Sequence, residues 1–349
     1  MTKKENIKIV FACGGTGGHI YPAVALAQEC SAPCLFIGGN DRSDKEIITK
    51  YGFRFFGLNV SRKISINLFR SIIKARKVLK AVYPKLLVST GGYTTVPVII
   101  AAFSLRIPIF LLEQNTIPGQ VNRYLQSFSK KIFVSFPETK SYFKKNKTII
   151  SGNPVRKSFI EDDTYKAFKK INFRNESTIL IFGGSQGSKI INDLINKNHD
   201  YFLNSPYTLI HITGENFYKN HFLDEPFTII NNQKDQPKIF ILPYTESIDY
   251  LYSLSDLVIS RAGATTIAEL VYFKKPSLLI PFPGAKDNHQ LQNAISCKKL
   301  VNSEYLTEDK LNIENLITKI SLCFEKKPPI NLGTDNARSI ISKNIQKFL

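Results

Sequence analysis

Short runs of aliphatic, β-branched and aromatic residues alternate with stretches of helical periodicity from one end of the chain to the other, which predicts repeated βα units and a parallel sheet. In the first half, strands are expected at Lys8 to Cys13, Cys34 to Ile37, Phe53 to Leu58, Lys85 to Ser89, Ile107 to Leu112, Lys131 to Val134 and Thr148 to Ile150. A second series is expected at Thr178 to Phe182, Tyr207 to Ile212, Lys238 to Leu242, Asp256 to Ile259 and Ser277 to Pro281. Between them Ser151-Gly152-Asn153-Pro154 breaks the pattern, and Phe159 to Glu176 is charged enough to be linker and surface helix, so the hinge is expected there. The fold class expected is α/β, built as two doubly wound parallel-sheet units.

The chain has 349 residues, which suits two domains, and 43% are hydrophobic, enough for a core in each. Forty-seven Lys and Arg against 28 Asp and Glu give a formal net charge of +19, so an acidic partner is expected: nucleic acid, an anionic bilayer surface, or a phosphorylated substrate. Met1 to Lys8 shows no signal-peptide pattern, and the longest apolar stretch, Val96 to Leu112, carries Pro97, Arg106 and Pro108, against a spanning helix. Five cysteines scattered among apolar segments read as reduced, buried thiols; only Cys30 and Cys34 are close, with no histidine at zinc-finger spacing. No metal site is expected.

Glycine pairs close strands at Gly14-Gly15, Gly91-Gly92 and Gly183-Gly184, where an open α/β sheet keeps its ligand crevice. In the first, Gly14-Gly15-Thr16-Gly17-Gly18-His19 leads to a helix expected to open near Pro22, and bare amides there can approach an anion. The spacing is neither that of a dinucleotide turn nor of a P-loop. His19, a residue type that titrates near neutrality, is either a general base in the cleft or a cap on the helix. Ser89-Thr90-Gly91-Gly92-Tyr93-Thr94-Thr95 and Gly183-Gly184-Ser185-Gln186-Gly187-Ser188 repeat the logic, each also readable singly as a tight turn. Glu113-Gln114-Asn115 follows an apolar strand, and its amides could grip hydroxyls.

Ser260-Arg261-Ala262-Gly263-Ala264-Thr265-Thr266-Ile267-Ala268-Glu269 again joins strand to helix: small residues and two hydroxyls can receive a diphosphate, and Glu269 can accept two hydrogen bonds from a ribose diol. Pro281 to Ala294 feeds a helix whose first turn, Asp287-Asn288-His289-Gln290, resembles a sugar-reading surface. From Leu68 to Tyr83, apolar residues recur at helical spacing with Arg70, Lys74, Arg76, Lys77 and Lys80 interleaved. That helix either packs on the sheet or presents a basic, apolar face to a membrane, helped by Lys130 and Lys131.

With six of these motifs in order, the chain resembles the bacterial N-acetylglucosaminyltransferase family that converts lipid I to lipid II in peptidoglycan synthesis, nearly end to end; Gly152-Asn153-Pro154-Val155-Arg156 is among the matching segments. The resemblance implies a GT-B fold: an N-terminal acceptor and membrane-facing domain over 1–156, a UDP-GlcNAc-binding domain over 157–333, and a last helix in 334–349 crossing back to the first. It implies inverting transfer of GlcNAc from UDP-GlcNAc to the 4-hydroxyl of lipid-linked MurNAc-pentapeptide at the cytoplasmic face of the inner membrane. His19 would be the base. Thr16, Gly17 and Gly18 would line the donor's sugar and phosphate side, and Asn115 would contact GlcNAc. Arg156, Ser185 and the segment Ala264, Thr265, Thr266, Ile267, Ala268, Glu269 would hold the nucleotide diphosphate and ribose, the backbone near Thr245 the uracil, and Gln290 the GlcNAc hydroxyls. No cofactor is expected, and since no Asp-x-Asp closes a strand, no essential metal either. Two other classes compete: a nucleic-acid binder, which leaves the glycine turns unexplained and shows no recognised module, and a different GT-B sugar transferase with another acceptor.

Overall fold

The computed structural model describes residues 6–40, 42–60, 65–156, 162–171, 177–184, 186–222, 227–232, 237–325 and 337–349. They form two compact units, Met1–Lys157 with Gly333–Leu349, and Ser158–Leu332.

The first unit is built on seven parallel strands, β1 (Ile9–Ala12), β2 (Cys34–Gly39), β3 (Arg54–Leu58), β4 (Leu86–Ser89), β5 (Ile109–Glu113), β6 (Lys131–Val134) and β7 (Thr148–Ile150), in the order β3-β2-β1-β4-β5-β6-β7. Helices cover both faces, which is why its central strands read as unbroken apolar runs. Along β1, Ile9 and Phe11 enter one core layer while Val10 and Ala12 enter the other, and Phe110 and Leu112 part from Ile109 and Leu111 in the same way. The C-terminal helix Ala337–Gln346 belongs to this unit: Ile341 and Ile345 join the layer containing Phe11 and Val24, and the Phe348 ring meets Phe110 edge-on at 5.0 Å.

The second unit holds β8 (Ser177–Phe182), β9 (Tyr207–Ile212), β10 (Thr228–Asn231), β11 (Pro237–Leu242), β12 (Leu257–Ser260), β13 (Ser277–Leu279) and β14 (Ser303–Tyr305), ordered β10-β11-β9-β8-β12-β13-β14. Two of these lie outside the expected strands. β10 is a four-residue edge strand, antiparallel to β11, so this sheet is mixed rather than purely parallel. β14 is mostly polar; its buried Glu304 carboxylate is accommodated by ion pairs to Lys298 at 3.1 Å and Lys319 at 3.0 Å. The linker expected over Phe159 to Glu176 lies partly outside the described residues; within it, Asp163–Phe168 is helical.

Chain order reverses between β1 and β4 in the first sheet and between β8 and β12 in the second. A crevice opens at the carboxyl ends of the strands at each such switch point. All five cysteines are buried free thiols. Burial pushes Cys30 up to about 11 and Cys34 and Cys297 up to about 12, so these sulfurs stay protonated.

Candidate active site

At the first switch point, β1 is followed by Gly14 and Gly15, both at positive φ. A Cβ on Gly14 would come 2.4 Å from Asp44 Oδ2, and that buried carboxylate accepts the Gly15 N–H at 2.9 Å. One amide expected to be bare is therefore spent inside the protein. The helix opens at Gly17 rather than near Pro22, because Thr16 in extended conformation already serves as its N-cap; Pro22 sits inside, costing one backbone bond. His19 thus rides in the first turn of the helix, and Thr16 and Gly18 are exposed beside it.

The His19 ring is held from β4. Its Nδ1 lies 2.8 Å from the Thr90 carbonyl oxygen, which can only accept, so Nδ1 carries the hydrogen and Nε2 the lone pair of the neutral imidazole. The same carbonyl accepts Gln114 Nε2–H at 3.1 Å. Gly91 and Gly92 stand at φ +87° and +85°, and a Cβ on Gly92 would meet the His19 ring at 3.4 Å. The second glycine turn is thus a wall against the imidazole.

Glu113-Gln114-Asn115 does not present three polar side chains to a ligand. Glu113 and Gln114 are buried and only Asn115 is partly open. Burial raises the Glu113 carboxyl above the usual range, opposed by N–H groups of Asn122 at 2.9 Å, Asn115 at 3.1 Å and Gly119 at 3.0 Å. The turn bearing Asn115 is shaped by this internal acceptor. Arg156 belongs to the first unit, its guanidinium stacked 4.3 Å over Tyr21 and donating to the Tyr51 hydroxyl at 3.2 Å.

In the second unit the third glycine turn closes β8. Gly187 at φ +74° leaves no room for a side chain, since a Cβ would stand 2.0 Å from the Thr213 carbonyl. Ser185 lies outside the described residues. Beyond β12, Gly263 caps the helix Ala264–Tyr272. Ala264, Thr265 and Thr266 supply its first amides, whereas the Ile267 N–H bonds the Gly263 carbonyl and the Ile267 side chain enters the core, so Ile267 offers a ligand neither. Thr265 Oγ1 is buried with no hydrogen-bond partner in the protein. Glu269 is partly open, and its Oε2 accepts the Tyr252 hydroxyl at 3.0 Å.

Two groups join these loops into one surface. Arg261 donates to Ser188 Oγ at 2.7 Å and to the Ile280 carbonyl at 3.2 Å, and pairs with Glu308 at 2.5 Å, tying together the ends of β8, β12 and β13. Asn293 is buried rather than sugar-facing and donates to the Ala262 carbonyl. Gln290 Oε1 accepts the Phe282 N–H at 2.9 Å, which leaves its amide hydrogens to serve as donors, and His289 Nδ1 donates to Lys286 O at 2.7 Å. Thr245 is buried after β11, its side chain turned inward. Spacing alone concealed Asp44 and Tyr252, and the role of Arg261 within its motif, because their partners lie elsewhere in the sequence. Among the described residues no group of three His, Cys, Asp or Glu side chains could hold a metal ion.

Residues 9–134 match the glycosyltransferase family 28 N-terminal domain and residues 178–347 the glycosyltransferase family 28 C-terminal domain. A UDP-N-acetylglucosamine-N-acetylmuramyl-(pentapeptide) pyrophosphoryl-undecaprenol N-acetylglucosamine transferase from Halothermothrix orenii is 36% identical over 332 residues, covering 90% of this chain and 89% of that protein. A protein of the same name from Thermodesulfovibrio yellowstonii is 34% identical over 341 residues, covering 92% and 90%. In fold, the chain is similar to the crystal structure of Acinetobacter baumannii MurG, with a TM-score of 0.71 at 23% identity over 97% of this chain and 99% of that one. A strand order reversing at two glycine-lined switch points agrees with these likenesses, and the chain belongs to this GT-B family of UDP-N-acetylglucosamine-N-acetylmuramyl-(pentapeptide) pyrophosphoryl-undecaprenol N-acetylglucosamine transferases.

Proposed function

We propose that the protein transfers GlcNAc from UDP-GlcNAc to the 4-hydroxyl of MurNAc in undecaprenyl-pyrophosphoryl-MurNAc-pentapeptide, with inversion at the anomeric carbon. The observation that carries the chemistry is the anchored His19: a backbone carbonyl takes the Nδ1 hydrogen, so Nε2 is the basic nitrogen at a strand switch point. The first unit presents the acceptor and the base, and the second holds the uridine end of the donor. As the acceptor oxygen forms its bond to C1 of GlcNAc, its proton passes to His19 Nε2. The C1–oxygen bond to UDP breaks, and the electron pair leaves on the diphosphate. The amides and hydroxyls of Ala264 to Thr266 and the positive end of their helix stabilise that charge; Arg156 and Ser185 are assigned to the diphosphate too, and Thr16, Gly17 and Gly18 to the donor's sugar and phosphate. Glu269 holds the ribose, the backbone at Thr245 the uracil, and Gln290 and Asn115 the sugar. Purified protein should release UDP from UDP-GlcNAc only when the lipid-linked acceptor is supplied; equal release with a soluble sugar acceptor would contradict the acceptor assignment.

The lipid-linked acceptor requires contact with a bilayer, and no helix among the described residues is long and apolar enough to cross one. Helix Ile66–Val82 has two apolar sides. Ser71, Ala75 and Leu79 are buried against the unit, while Ile66, Phe69 and Ile73, at 66%, 60% and 58% exposure, form a stripe on the opposite side with Arg70, Lys74 and Lys77 around it. Phe103, 52% exposed, lies on the neighbouring helix Val96–Ser104, joined to this one by the Arg76–Ser104 hydrogen bond. An exposed apolar stripe ringed by cations suits an anionic membrane surface. Replacing Phe69 and Ile73 together by Ser should weaken binding to phosphatidylglycerol vesicles at least about tenfold and leave transfer to a detergent-solubilised acceptor intact; sedimentation with vesicles reads the difference. Unchanged binding would count against the stripe.

A further inference from the structure

A carboxylate outside every motif described above organises the loop assigned to the nucleobase. Asp162 precedes the helix Asp163–Phe168 and caps it, with Oδ1 accepting the Tyr165 N–H at 2.9 Å. The same side chain reaches the loop that follows β11, 83 to 85 residues away. Oδ2 accepts the Thr245 hydroxyl at 3.0 Å, the Glu246 N–H at 2.9 Å and the Ser247 N–H at 3.3 Å, while Oδ1 also takes the Ser247 hydroxyl at 2.5 Å. Thr245 Oγ1 in turn accepts the Ser247 N–H at 3.0 Å. Five donors from two segments thus converge on one carboxyl group. Burial works against its charge, but the hydrogen bonds from Ser247, Tyr165, Glu246 and Thr245 prevail and hold it below the ordinary carboxylate range.

A helix cap needs one acceptor. The other four bonds go to a loop outside helix and strand, turning Thr245 and Ser247 inward and fixing the backbone between them. We propose that Asp162 is a positioning residue for the nucleobase of the donor: its carboxylate sets the backbone of Thr245 to Ser247 in the shape that meets uracil. This rests on the reading that the Thr245 backbone contacts uracil, and deepens it by naming what holds that backbone.

Asp162→Asn separates the two jobs. Asn caps a helix as well as Asp. With its carbonyl on the Tyr165 N–H, however, its amide group would face the Glu246 and Ser247 N–H groups, donor against donor. In full-length enzyme, Asp162→Asn should raise KM for UDP-GlcNAc about tenfold with kcat within about twofold. It should also shrink the preference for UDP over ADP as competitive inhibitor several-fold and move the thermal midpoint little. Asp162→Ala should do the same and also lower the midpoint. Hydrogen–deuterium exchange of wild-type enzyme should show protection of the Tyr244 and Thr245 amides on adding UDP. If that protection is present but Asp162→Asn keeps the wild-type KM and the wild-type UDP-over-ADP preference, Asp162 is a cap alone and the proposal fails. A uniform loss of UDP and ADP affinity at unchanged preference also overturns it, as a merely structural effect. If UDP gives the wild-type loop no protection, the uracil reading itself is wrong and the proposal falls with it.

Discussion

Replacing His19 by Ala is expected to lower kcat by about 10² to 10⁴, the span typical of losing a positioned general base, with KM for UDP-GlcNAc close to wild type. The expectation follows from how the ring is held. Thr90's carbonyl fixes the tautomer and Gly92 walls one side of the imidazole, so the ring's freedom is removed before substrate arrives. Steady-state kinetics read the effect. An unchanged kcat would leave His19 with its other role, an element of the helix start.

Glu269→Ala should raise KM for UDP-GlcNAc by about 10- to 100-fold while kcat changes little, since hydrogen bonds to a charged acceptor contribute roughly 1.5–3 kcal/mol. Tyr252 holds Oε2 at 3.0 Å and so restricts the carboxylate's rotamer. The donor lacking its ribose 2′-hydroxyl makes the test specific: it should bind wild type poorly and Glu269→Ala no worse than UDP-GlcNAc does. An equal penalty for the deoxy donor in both proteins would remove Glu269 from the ribose.

The elements that sequence pattern made legible are those whose cause is local. The central strands of both sheets are buried on two faces, so their residues must be apolar in unbroken runs, and β1, β5, β8 and β9 stand within a few residues of where pattern places them. The glycine turns are legible for the same reason: positive φ at Gly14, Gly91, Gly92, Gly184 and Gly187 demands the residue type wherever the rest of the chain lies. β10 and β14 escaped because edge position and buried polar groups erase the apolar signature. The helix opening at Gly17 was hidden by Pro22, which pattern reads as a first-turn residue although it sits a turn further in.

The parts of the site that were not legible depend on pairing across sequence. Asp44 with Gly15, Arg261 with Glu308 and Ser188, and Asp162 with Thr245 join segments that only the sheet topology brings together. The Gln114 amide reads from sequence as a group for a ligand's hydroxyls; its burial shows it bonded to the Thr90 carbonyl instead, while the buried Glu113 shapes the turn. Helix Ile66–Val82 shows the same limit, for periodicity marks apolar positions without saying which of them are covered: Leu79 is buried, whereas Phe69 and Ile73 are exposed.

The measurement that tests the account most directly is incubation of purified protein with labelled UDP-GlcNAc and a lipid I analogue in detergent, followed by isolation of the product and determination of its new glycosidic bond. The account predicts GlcNAc joined β-1,4 to MurNAc, formed by the wild type and almost none by His19→Ala. Transfer with retained α configuration, or no transfer to this acceptor from a protein that binds UDP, would contradict it.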